Sequence, residues 1–147
     1  MRTRAAFATV PIRSLSPEVL AAAIQESQPG TRRRVLVIDD HRRIADTLVH
    51  TLELHGFCAK AAYTGEEGLA LVEEFLPSIV ISDVGLPCMD GITLSERIAA
   101  LAPHTQVVLM CECRPQKPAL VAWATLKKPF HTSELLAVIG PAEVHHG

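Results

Sequence analysis

What the chain lacks narrows its chemistry before any motif is considered. Its 147 residues carry 14 basic and 16 acidic side chains, a formal charge of −2, so there is no basic face for nucleic acid and no acidic tail. No run approaches the roughly 18 apolar residues of a membrane span, which argues against a membrane-embedded helix. The four cysteines, Cys58, Cys88, Cys111 and Cys113, stand in apolar or strand-like settings without metal or disulfide spacing. Reduced thiols in a cytoplasmic protein are the expectation. The histidines His41, His50, His55, His104, His131, His145 and His146 also show no ligand spacing and are expected at the surface or in turns. His41 alone adjoins acidic residues closely enough to influence access to them.

What is present is a set of apolar runs, each ending in a charged residue. Arg34 to Ile38 runs into Asp39-Asp40, Ser78 to Ser82 into Asp83, and Ala124 to Lys127 into Lys128-Pro129. Runs of this kind fit parallel strands covered on both faces. In an open α/β sheet the ligand crevice lies at the carboxyl ends of the strands, so these side chains are expected to converge. Clustered carboxylates repel one another unless a cation offsets them. The pattern therefore asks for a hard divalent metal, with the lysine left to answer an anion.

Between the runs, helical patterns alternate with strand patterns. Ile44, Leu48, Thr51, Leu52 and His55 mark a first helix closed by Gly56, and Phe57 to Tyr63 a weaker second strand. Thr64 with Glu67 reads as a capping box opening a helix that carries Leu69, Leu71, Val72 and Phe75. Ile92, Leu94, Ile98 and Leu101 mark a third helix, Gln106 to Met110 a fourth strand, and Leu135, Leu136 and Ile139 a last helix with Phe130 packed at its start. Asp90-Gly91 reads as turn punctuation. Residues 1–33 read as an extension with a short helix over 17–28, opened by Ser16-Pro17-Glu18. The main domain is expected over 34–140 and a tail over 141–147, too short to hold an effector domain.

The acidic pair Asp39-Asp40, the segment Asp83-Val84-Gly85-Leu86-Pro87-Cys88-Met89-Asp90-Gly91 and Lys127-Lys128-Pro129-Phe130, in this order, resemble the response-regulator receiver domain of two-component signalling. The resemblance implies a flavodoxin-like α/β three-layer sandwich around a five-stranded parallel sheet in the order 2-1-3-4-5. It implies a phosphoacceptor at Asp83 and Mg²⁺ (or Mn²⁺) held by Asp40, Asp83 and the Gly85 carbonyl, with Asp39 acting largely through water. Lys128 would pair with Asp83 before reaction and with the phosphoryl group after it. The donor would be a sensor histidine kinase or a histidine phosphotransfer protein, and the output a protein contact with an unknown target. The chain would be a stand-alone phosphoacceptor rather than an enzyme, and a homodimer stays open.

Departures from the family pattern carry their own expectations. Where most receivers end the fourth strand with a hydroxyl that binds the phosphoryl group, this chain has Cys111, a weak donor, followed by Glu112, a like charge to the anion. Thr125 takes the place of the aromatic that usually moves on activation, with Trp123 two residues earlier. Pro115 and Pro118 leave room for only a shortened fourth helix. An interaction module not switched by phosphorylation is thus one alternative. A haloacid-dehalogenase-like phosphatase is another, disfavoured because Asp39 is followed directly by Asp40 and His41 instead of by an aspartate two positions on.

Overall fold

The computed structural model describes residues 16–18, 31–112 and 122–144. Among them five strands and four helices alternate: β1 Arg34–Ile38, α1 Arg42–Leu54, β2 Cys58–Ala62, α2 Gly65–Phe75, β3 Ile79–Asp83, α3 Gly91–Leu101, β4 Gln106–Cys111, β5 Ala124–Lys127 and α4 Thr132–Ile139. All four ladders of this five-stranded sheet are parallel and its order is β2-β1-β3-β4-β5, the order 2-1-3-4-5 expected of a flavodoxin-like fold. Pro17 and Glu18 are helical, while the rest of the helix expected over 17–28, and the shortened helix expected near Pro115 and Pro118, lie outside the described residues. No helix among the described residues is long and apolar enough to cross a membrane.

Strand alternation splits the apolar runs between two cores. Val35, Val37, Ile79, Ile81, Val108 and Met110 pack with Ala45, Leu52, Leu135 and Ile139 under α1 and α4. Leu36, Ile38, Val80 and Leu109 pack with Val72, Leu94 and Ile98 under α2 and α3. The central strands are buried on both faces, which explains why they read as unbroken apolar runs. Gly68 lets α2 approach β1, because a β-carbon there would meet the tip of Ile38 at 2.5 Å.

Two helix details differ from expectation. The buried stripe of α1 is Ala45 and Leu52 with half-buried Leu48 and Val49, whereas Ile44 is 40% exposed; His55 lies on the surface, as expected of the histidines. Leu101 is likewise exposed at the end of α3. At α2, Thr64 Oγ1 accepts from Glu67 N–H at 3.0 Å as a capping box requires. The returning bond comes to Glu67 Oε1 from Tyr63 N–H at 2.6 Å, one residue ahead of the cap.

Two neighbouring arginines hold helix ends. Arg34, 5% exposed, donates to the carbonyls of Phe75 at 2.9 Å and Leu76 at 2.9 and 3.1 Å, where α2 stops and Leu76 turns left-handed. Arg33 donates to Ile139 O at 2.6 Å at the end of α4. A cation on unsatisfied terminal carbonyls complements the helix dipole. Thr31–Arg32 also pairs antiparallel with Glu143–Val144, so residues on either side of the expected domain limits are joined by a short ladder.

Candidate functional site

The sheet positions the site by running its ladder one residue past each strand. Asp39 N–H donates to Ala62 O at 3.1 Å, Val84 N–H to Met110 O at 2.9 Å, and Lys128 N–H to Cys111 O at 2.7 Å. Asp39, Asp83 and Lys128 therefore stand side by side at the carboxyl ends of β1, β3 and β5. Asp39 is fully buried and Asp83 is 8% exposed.

Lys128 Nζ lies 3.2 Å from Asp39 Oδ2 and 3.3 Å from Asp83 Oδ1. The lysine thus pairs with Asp83, as the resemblance implied, and with Asp39 as well. Burial pulls its pKa down, but the two carboxylates outweigh that and hold it above the ordinary lysine value. Lys127, one residue earlier, faces solvent as expected.

Asp40 completes the acidic group. Its side chain is 32% exposed, yet its Oδ1 is sealed from solvent and has no hydrogen-bond partner. A buried carboxylate oxygen without a donor is costly unless something cationic meets it. His41, expected only to influence access, belongs to the cluster itself: Nδ1 stands 3.2 Å from Asp39 Oδ1 and 3.5 Å from Asp40 Oδ1. One ligand atom from each of Asp39, Asp40, His41 and Asp83 falls within 4.8 Å of the others. Scanning for paired histidines missed it; its adjacency to the acidic pair at the end of a strand was the available signal.

The loop after β3 is held from both ends. Asp90 is more than turn punctuation: it caps α3, its Oδ1 accepting from Ile92 N–H and Thr93 N–H at 2.9 Å each. Gly85 follows close to the acceptor, since a β-carbon there would lie 3.9 Å from Asp83 Oδ2. Cys111 ends β4 buried, its thiol donating to Leu126 O at 3.8 Å, and Glu112 beyond it is exposed. Thr125 is exposed on β5, as is Trp123 before it. Beside Lys128 a cavity of about 360 Å³ opens between Arg43, Ile44 and Thr47 of α1 and the Lys128–Phe130 turn.

A five-stranded parallel sheet with three aspartates and a lysine gathered at its carboxyl edge places the chain in the class of two-component signalling receivers. The chain belongs to the response regulator receiver domain family, whose model matches residues 35–140. It is 38% identical over 76 residues to the C4-dicarboxylate transport transcriptional regulatory protein DctD of Rhizobium meliloti (strain 1021), a match covering 52% of this chain and 16% of that protein. Among solved structures it resembles a CheY-like response regulator receiver domain protein of Methanospirillum hungatei JF-1, at TM-score 0.70 and 28% identity, covering 74% of this chain and 90% of that one. It also resembles a response regulator of Burkholderia pseudomallei with a phosphorylated aspartic acid, calcium ion and citrate, at TM-score 0.68 and 25% identity, covering 74% of this chain and 66% of that one. Receiver domains of this family bind Mg²⁺ at an acidic pocket and interact with histidine kinases or phosphotransfer proteins. The residues here fit such a cation, because the pocket offers hard oxygen donors and one of them, Asp40 Oδ1, is buried with no hydrogen-bond partner.

Proposed function

We propose that this chain receives a phosphoryl group on Asp83 from a sensor histidine kinase or a histidine phosphotransfer protein and passes the signal on through protein contacts. The observation that carries the reading is Lys128 Nζ shared between Asp39 and Asp83, a mobile point charge already at the acceptor. An Asp83 carboxylate oxygen forms the new bond to phosphorus as the donor's phosphorus–nitrogen bond breaks. The departing imidazole keeps the electron pair and takes up a proton. Lys128 then exchanges one carboxylate contact for the phosphoryl oxygens, while Asp39 keeps it in place. Asp40, Asp83 and the Gly85 carbonyl would hold Mg²⁺, with Asp39 behind them, and the ion would neutralise charge between carboxylate and phosphoryl oxygens.

In this reading the domain is a phosphoacceptor, assisting only its own phosphotransfer and dephosphorylation, and it works in the cytoplasm where such donors act. The groove beside Lys128 offers a donor protein an apolar foothold next to the acceptor. The relative crystallised with a phosphorylated aspartic acid supports the same chemistry. An interaction module indifferent to phosphorylation has one observation in its favour: the Cys111 thiol is engaged with Leu126 O. Intact mass after treatment with acetyl phosphate and Mg²⁺ separates the two. A gain of one phosphoryl group in the natural chain, absent from Asp83→Asn, is expected; no gain, or a gain that survives the substitution, sinks the assignment.

A further inference from the structure

His41 makes the cation pocket unlike a pure oxygen site. Its side chain is 65% exposed, yet Nδ1 points into the acidic group, 3.2 Å from Asp39 Oδ1 and 3.5 Å from Asp40 Oδ1. The ring is one of two His41 groups on Asp39 Oδ1, with Nδ1 at hydrogen-bond distance from it, 3.2 Å. The His41 main-chain N–H already donates to Asp39 Oδ1 at 3.0 Å, and Lys128 serves Oδ2 at 3.2 Å. Asp40 Oδ1, by contrast, is buried and unmet, and the ring at 3.5 Å makes no hydrogen bond to it.

A single ion facing the ring nitrogen and the two carboxylate oxygens would meet all three groups. Ligands about 2.1 Å from an octahedral cation stand about 3 Å from their neighbours, close to the separations observed. Mg²⁺ prefers oxygen donors and gives up its waters reluctantly. Imidazole instead suits first-row transition dications, whose affinity for mixed nitrogen and oxygen sites climbs from Mn²⁺ through Co²⁺ and Ni²⁺.

We propose that His41 is a further side-chain donor of this pocket and turns it toward first-row transition dications in preference to Mg²⁺. The inference rests on the cation site proposed above and adds its selectivity. Because the ring is exposed, its removal leaves both cores intact.

The test uses the full chain, its His41→Ala and Asp40→Ala variants, and the ions alone. Calorimetric titration with Co²⁺ and Mg²⁺ is paired with pulsed electron paramagnetic resonance of bound Mn²⁺. In His41→Ala the Co²⁺ affinity should fall on the order of tenfold while that for Mg²⁺ changes less than about twofold. The natural chain with Mn²⁺ should show nitrogen hyperfine coupling that this variant lacks. If both ions bind and Asp40→Ala abolishes them, but His41→Ala shifts neither ratio nor coupling, the pocket stands and the imidazole is only a hydrogen-bonding neighbour of Asp39. If the natural chain binds no dication, the underlying site reading fails and the inference with it.

Discussion

Gly91 stands so close to Asp83 that a β-carbon on it would collide with the Asp83 carbonyl oxygen and come within 2.7 Å of the Val84 α-carbon. Gly91 N–H also donates to Val84 O at 2.8 Å, so the first residue of α3 is pinned to the strand end that carries the acceptor. The obstacles are main-chain atoms, which cannot swing aside as a side-chain tip can.

Gly91→Ala should therefore force the loop over 84–90 outward and cost about 1 to 3 kcal/mol, the range for overpacking a tight site. Chemical denaturation measures the loss. Labelling of Asp83 by acetyl phosphate should weaken in parallel, because the same displacement moves the acceptor. A denaturation midpoint like that of the natural chain would mean the contact relaxes cheaply.

Lys128 is the half-buried cation between two buried carboxylates, and removing it leaves their charge uncompensated. Lys128→Met should lower stability at neutral pH by about 3 kcal/mol. The two carboxylates hold the lysine above its ordinary value of 10.5 against the opposing effect of burial. Its stabilising contribution is therefore complete below that value and lost as pH rises through the higher folded value. Urea midpoints should fall at strongly alkaline pH in the natural chain and fall less steeply in Lys128→Met. Equal slopes would place the alkaline loss elsewhere.

Tyr63 is the only tyrosine of the chain, so ultraviolet absorbance follows its ionisation without interference. Its hydroxyl donates to Asp46 Oδ1 at 2.6 Å, and Arg42 lies 4.0 Å from the ring centroid. The hydrogen bond to Asp46 raises its pKa above 10.0, outweighing the opposing charge of Arg42. The titration midpoint should lie above that value and drop toward it in Asp46→Asn. A midpoint unaffected by the substitution would show that the link between α1 and the turn after β2 does not persist in solution.

Phosphorylation should change this protein's shape only modestly, since a ligand moves an equilibrium by its differential contacts with the two states. Cys111 offers a weak donor already turned to Leu126 O, Glu112 brings a like charge, and exposed Thr125 supplies no aromatic to rearrange. Cys111→Thr together with Glu112→Ala should enlarge the response. Amide hydrogen exchange across residues 107–130, with and without beryllium fluoride as a phosphoryl mimic, measures it. A large change in the natural chain that these substitutions do not increase would point to a different switch element.

Much of the architecture was legible because its signals are local. Unbroken apolar runs marked doubly covered strands, and charges at their ends marked the carboxyl edge, so Asp39, Asp40, Asp83 and Lys128 were legible in the sequence. Thr64 announced its helix for the same reason, since a cap is made within one turn. The stripe of α1 that faces the sheet was only partly legible: Leu48 and Leu52 were expected, but Ile44 and Ala45 sit on overlapping helical periods, and only packing against the sheet decided for Ala45 and Val49. Only the tertiary structure could set Arg34 against the end of α2, share Lys128 between two carboxylates, and turn His41 toward an oxygen that has no other partner. Sequence fixes periodicity and strand ends because they depend on near neighbours. The direction a charged side chain takes depends on what distant segments leave unsatisfied beside it.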